Sequence, residues 1–223
     1  MHFIDLETVS ETDTLPERSA PGRLPPYLIE KRLLPNPDSL MIGDVILISP
    51  RSPTKNQKRI IAKQLSAHSQ DHACWTHAAI YIGSGLVCEA VLKGVREHPI
   101  HDYFQDYKVR VRRASFASEH ERFLVAIRAM RRLGARYSFG SIYVIATTPA
   151  RRFARSGGQN YSQRGGMRSM ICSMLCFDSY FEVTNENPIN DAVYLPTPAD
   201  FSMSNKFNDV NVGLLRLPQP AVV

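Results

Sequence analysis

The chain has no run approaching the roughly 18 consecutive apolar residues that span a bilayer. Its opening residues, MHFIDLETVSETD, are acidic where an export signal would be basic and then apolar. These absences predict no transmembrane segment and no Sec-type export. The expected location is the cytoplasm, or delivery by a secretion system that ignores signal peptides. Cysteine is scarce: Cys74, Cys88, Cys172 and Cys176 are the four in 223 residues. They are too few and too unevenly spaced for a disulfide framework, so a reducing compartment fits. There is no internal repeat, and no helix-turn-helix, zinc-finger or aromatic-rich nucleic-acid signature. Cys74-x-x-His77 and Cys172-x-x-x-Cys176 do offer four nitrogen and sulfur donors. Structural zinc sites use tighter paired spacings, however, and cysteines at i, i+4 commonly just share a helix face. No metal and no cofactor is expected.

What is present is the composition of an ordinary soluble protein, 43% hydrophobic and 22% charged. The net charge of +6 conceals an asymmetry. Lys108 to Arg168 holds 14 of the 27 basic residues and only two acids, Glu119 and Glu121, a local +12 against −6 elsewhere. Such a stripe suits nucleic acid, anionic lipid or an acidic protein. With no nucleic-acid signature beside it, solvated arginines on helix and strand faces are the plainer reading. Peripheral contact with an anionic membrane and an anionic substrate remain as partner classes.

Six of the 15 prolines (Pro16, Pro21, Pro25, Pro26, Pro35 and Pro37) lie within residues 1–38. That segment is expected to be an extended or partly disordered arm, wrapping the domain or mobile, ahead of a domain at 39–223. Order is expected to begin near Ile42-Gly43-Asp44-Val45, leading into a buried strand, Val45 to Ile48. Thr54 caps a predicted helix to about His68, with Ile60, Ile61 and Leu65 inward. Lys108 to Arg113 alternates valine and arginine as a strand with one wet face would. Ser118 and Glu121 form a capping box for a helix with Phe123, Ile127 and Met130 inward and Arg122, Arg128 and Arg132 outward. Residues 149–168 are glycine-rich, basic and aperiodic, which predicts a long exposed loop. Ser169 is placed to cap a helix from about Met170 to Val183, and a last short strand falls near Gly213 to Leu217.

The stretch Trp75 to Val91, WTHAAIYIGSGLVCEAV, reads as a β-hairpin about a Gly83-Ser84-Gly85 turn. A three-residue loop pairs Ile82 with Leu86. Ala79 then lies opposite Glu89, and His77 sits one diagonal step away on the same face. A two-residue loop slips the register by one and turns Glu89 to the other face. Glu89 interrupts an otherwise apolar strand, which is costly unless the acid is paired or the face is open to water. A carboxylate beside His77 orients the imidazole and makes it a better base. The nucleophile it could serve is Cys172. If Ser169 is the cap, Cys172 is the third helical residue, where unpaired backbone N–H groups and the helix dipole favour a thiolate. Cys176 lies one turn deeper and is expected to pack as a small apolar residue.

The succession GDVILIS, THAAIYIGSGLVCEAV with a following GV, RYSF, ICSMLCFDSYF and LPTPADF resembles the circularly permuted NlpC-type papain-like hydrolases, the YiiX-like branch in particular, over about residues 42–205. The resemblance implies an α+β, papain-like fold with a small antiparallel sheet packed against helices. It implies the order His77, Glu89, Cys172 for base, orienting acid and nucleophile, and places Tyr137 on a family tyrosine upstream of the nucleophile, assigned to substrate binding. The expected activity is a cysteine hydrolase that cleaves a peptide, isopeptide or peptidoglycan-type amide through a thioester acyl-enzyme. Lipid acyl hydrolysis or transfer on the same fold, and a non-catalytic basic module binding an anionic partner, are the alternatives.

Overall fold

The computed structural model describes residues 1–10, 14–16, 24–137, 169–189 and 196–218. The expected basic loop at 149–168 lies outside them. Six strands form one antiparallel sheet in the order β5-β4-β3-β2-β6-β9. They are β2 (Val45–Pro50), β3 (His77–Gly83), β4 (Leu86–Val91), β5 (Gly94–Pro99), β6 (Tyr107–Ala114) and β9 (Phe207–Val210). On one face lie two long helices, α4 (Glu119–Met130) and α5 (Cys172–Thr184), and the short α6 (Pro198–Met203). The sheet contributes Val45, Leu47, Ala78, Ile80, Cys88 and Ala90 to a core with Val125, Ala126, Ala129, Leu175, Cys176 and Tyr180 from the helices.

The other face of the sheet is buried as well. Ile46, Ile48, Ala79, Val87, Val109 and Val111 pack against Ile4, Leu6, Leu28, Leu33 and Leu34 from the N-terminal segment and Leu215 and Leu217 from the C-terminal one. Ile4 bridges Val109 in antiparallel sense, and β1 (Leu33–Pro35) pairs with β10 (Leu214–Arg216) beyond the short helix α1 (Pro26–Lys31). Packing therefore starts well before Ile42, where the sequence places its onset. The prolines are compatible with this because Pro25 and Pro26 sit at the start of α1, where no intrahelical N–H is needed.

Local signals are met where they are chemically self-contained. Thr54 and Gln57 form a capping box on α2 (Lys55–Gln64), and Ser118 and Glu121 form another on α4. Face assignments differ. In α2 the buried residue is Gln64, while Leu65 is exposed. The Gln64 amide donates at 2.8 Å to the carbonyls of Ala73 and Trp75 and accepts from the Ala199 N–H at 3.1 Å. In α4 the inward face is Val125, Ala126 and Ala129, and Phe123 is exposed. Small residues let this helix lie close: a Cβ on Gly43, whose φ is +91°, would stand 2.6 Å from the Arg122 carbonyl.

The expected wet face of β6 is covered. Arg110 and Arg112 are buried beneath α6 and both bond Asp209, Arg110 through Nε at 2.6 Å and Nη2 at 3.0 Å, Arg112 through Nη1 at 2.9 Å. Arg113 grips Asp44 through two bonds of 2.8 and 2.7 Å, while Arg128 and Arg132 pair with Glu182 on α5. Much of the described part of the basic stripe is thus paired with acids, Arg110 and Arg112 in the interior and Arg128 and Arg132 at the surface, and is not displayed as an even positive surface.

Candidate active site

The hairpin decides which residues meet. Its loop has two residues, Ser84 and Gly85, both with positive φ (53° and 74°), in the primed-turn geometry that suits strand twist. Gly83 consequently pairs with Leu86, a different partner from the Ile82 of the three-residue expectation. A bulge between Tyr81 and Gly83 absorbs the extra residue, so the slip is cancelled and Ala79 lies opposite Glu89. Glu89 and His77 share a face.

They are in contact. His77 Nε2 lies 2.7 Å from Glu89 Oε2, the Glu89 side chain has no exposure and that of His77 is 19% exposed. The water-facing alternative for Glu89 is excluded. Arg96 donates to Glu89 Oε1 through Nε at 2.9 Å and approaches it with Nη2 at 2.9 Å, and the Tyr103 hydroxyl donates to Oε2. Burial would raise the Glu89 carboxyl, but the hydrogen bond and charge of His77, followed by the Tyr103 and Arg96 donors, outweigh it and hold the group down at about 2. Sequence reasoning missed Arg96 and Tyr103. The turn at Lys93-Gly94 carried a signal for the first, because a loop at Leu92-Lys93 sets Val91 opposite Gly94 and hence Glu89 opposite Arg96. Tyr103 closes a one-turn helix, Ile100–Tyr103, whose docking no local pattern announces.

Cys172 arrives from the far end of the chain. The helix starts two residues later than expected: Ser169 and Met170 form β8, parallel to β7 (Arg136–Tyr137), Ile171 is the N-cap and Cys172 is the first residue of α5. The preference for thiolate survives this correction, because the first turn still carries the unpaired N–H groups. Burial by itself would raise the Cys172 thiol. The His77 charge, a hydrogen bond to His77 and the backbone N–H groups of Ala78 and Ser173 together bring it below its usual range. For His77, burial acts downward, but the Cys172 thiolate and the Glu89 carboxylate raise it to about 10. Nε2 is engaged by Glu89, which leaves Nδ1 for the sulfur. The arrangement favours a thiolate beside an imidazolium backed by a carboxylate.

The remaining thiols lack these partners. Cys176 is fully buried in the helix-side core and raised well above a free thiol by burial, Cys88 is pushed up to about 12, and Cys74 is also raised. Next to Cys172, Ser173 donates to the Pro196 carbonyl at 2.6 Å, tying the helix start to the segment before α6. The Tyr137 side chain lies outside the described residues. Among the described residues no group of three or more His, Cys, Asp or Glu is arranged to hold a metal ion, so the four donors of the two Cys/His pairs do not converge.

No family model and no curated protein matches this chain. Among solved structures it is similar to the crystal structure of the metalloprotein YiiX from Escherichia coli O157:H7, with a TM-score of 0.53 and 19% identity over 78% of this chain and 98% of that one. The fold is YiiX-like. At this identity the likeness speaks to the fold alone, and the YiiX-like frame here is the antiparallel sheet with helices packed on one face. None of the described helices is long and apolar enough to cross a membrane.

Proposed function

We propose that this chain is a cysteine hydrolase of the circularly permuted NlpC-type, papain-like kind, cleaving an amide bond of a peptide, isopeptide or peptidoglycan-type substrate. The observation that carries the reading is the continuous line from buried Glu89 through His77, 2.7 Å away, to Cys172 at the start of α5. Cys172 thiolate attacks the acyl carbon, forming a C–S bond while the carbonyl π electrons move to oxygen. The Cys172 backbone N–H, in the unpaired first turn, stabilises that oxyanion. Collapse of the tetrahedral adduct expels the amine, which takes the proton from His77 Nδ1. Neutral His77 then draws a proton from water, which attacks the thioester and returns Cys172 to the thiolate. Glu89 holds the imidazole in the tautomer with the proton on Nε2 and stabilises the cation that forms.

Intact-mass analysis after incubation with activated acyl-peptide and acyl-lipid probes tests this reading. The expected product is one hydroxylamine-labile acyl adduct on Cys172, absent in Cys172→Ala and strongly slowed in His77→Ala. An acyl adduct with lipid probes alone would move the substrate to lipid esters. No adduct with either class, or one on Cys176, overturns the hydrolase assignment.

A further inference from the structure

The Glu89 carboxylate is saturated. Oε1 receives the Arg96 guanidinium, and Oε2 is shared between His77 Nε2 and the Tyr103 hydroxyl. A carboxylate has two oxygens and about four lone-pair sites, so it cannot turn here without breaking a bond on each side. Tyr103 is itself wedged, its ring edge-on to His98 at 5.1 Å and to Tyr107 at 5.6 Å. Arg96 is 44% exposed. It approaches Glu89 from the solvent side, opposite to His77. Both residues belong to β5 and the turn that follows it, outside the three residues that the reaction needs.

We infer that Arg96 and Tyr103 are positioning residues that lock the Glu89 carboxylate and compete with His77 for its charge, an inference that rests on the hydrolase reading above. The physical reason is that donors already on the carboxylate partly offset its negative charge, so a third partner on the same group faces less of it. Arg96 also repels a charged imidazole from beyond the carboxylate. The two residues therefore act on His77 in the opposite sense to Glu89. Glu89 stabilises the imidazolium, and its moderators keep that cation acidic enough to give its proton to a leaving amine.

The test is the titration of the His77 ring carbon by NMR in Cys172→Ala protein, where removal of the thiolate lowers the midpoint into an accessible range. Added to that background, Arg96→Gln should raise the midpoint by about one pH unit, and Tyr103→Phe should raise it by less. In the chain with Cys172 intact, Arg96→Gln should lower kcat with little change in KM, since proton delivery and not binding is affected. A residue that only props up the fold would lower stability without moving the midpoint upward. An unmoved or lowered midpoint in both folded variants overturns the inference, and Tyr103→Phe alone decides it if Arg96→Gln does not fold. Iodoacetamide labelling of the parent at neutral pH separates the two ideas. An unreactive Cys172 counts against the hydrolase reading, whereas a reactive Cys172 with unmoved midpoints counts against this inference alone.

Discussion

Glu89→Gln is the most informative single change, because it removes one charge and nearly no volume from a fully buried position. With charge centres about 4 Å apart and an effective dielectric near 20, a carboxylate and an imidazolium attract by about 4 kcal/mol. That corresponds to about three pH units on His77. Solvent reaching the 19% exposed imidazole reduces this to about two. The amide must also choose an orientation. If its oxygen faces His77, the proton stays on Nε2 and only the charge is lost, while half-exposed Arg96 turns outward. If its nitrogen faces His77, the proton moves to Nδ1 and the ring can no longer accept the thiol proton, the wrong-tautomer situation that costs other triads about 10⁴-fold. Acylation of Cys172 by an activated acyl probe should therefore slow by about 10²- to 10⁴-fold. The basic limb of its pH profile should fall by about two units. Loss of the Arg96 and Tyr103 bonds to a charged acceptor should cost about 2 kcal/mol of stability, visible in urea unfolding with the fold retained by circular dichroism. A folded variant whose rate stays within threefold of the parent and whose basic limb does not move would refute the role given to Glu89.

Three further outcomes follow from the same geometry. Iodoacetamide at neutral pH should label Cys172 much faster than Cys176 or Cys88, since only Cys172 is lowered by a charged partner; equal labelling, read by peptide mass mapping, would remove the helix-start argument. Gly43→Ala should cost about 2 kcal/mol or more and lower Tm by roughly 4–8 °C, because the position combines φ +91° with a 2.6 Å approach to the Arg122 carbonyl; an unchanged Tm would mean that α4 shifts freely. In acid, Glu89 and Asp209 both titrate at about 2 in the fold, below their ordinary 4.5 and 3.8. Their stabilisation is complete above those ordinary values and is lost as pH falls through about 2. Asp44, raised by burial, acts in the opposite sense. Asp209→Asn should lower stability by about 3–5 kcal/mol at neutral pH, by leaving Arg110 and Arg112 without their carboxylate. It should also flatten the acid limb of urea-unfolding stability, and an unaltered acid limb would exclude Asp209 from it.

What was legible in the sequence was whatever is settled within a few residues. The capping boxes at Thr54 and Ser118 close on their own backbone, so no tertiary contact is needed to recognise them. Glu89 was legible as an anomaly, an acid in an apolar strand that needed either a partner or open water, and the alternation of β3 and β4 left His77 as the near partner. Cys172, 83 residues after Glu89, was legible as a thiol at a predicted helix start, but that it meets His77 was implied only by the family resemblance.

Only the tertiary structure decided how the hairpin kept its register. A two-residue turn alone would have separated Glu89 from His77, and the bulge between Tyr81 and Gly83 rescues the pairing. The structure alone also decided which faces were buried. Alternating Val and Arg along β6 describes a half-wet strand until α6 and Asp209 cover the arginines. The apolar stripe of α4 gives way to Ala126 and Ala129 because close approach to the sheet and to α5 favours small residues over Phe123. Arg96 and Tyr103 follow the same rule. Their roles depend on a carboxylate across a strand pair and a docked turn, and side-chain charge acts through space with no mark in the local sequence period.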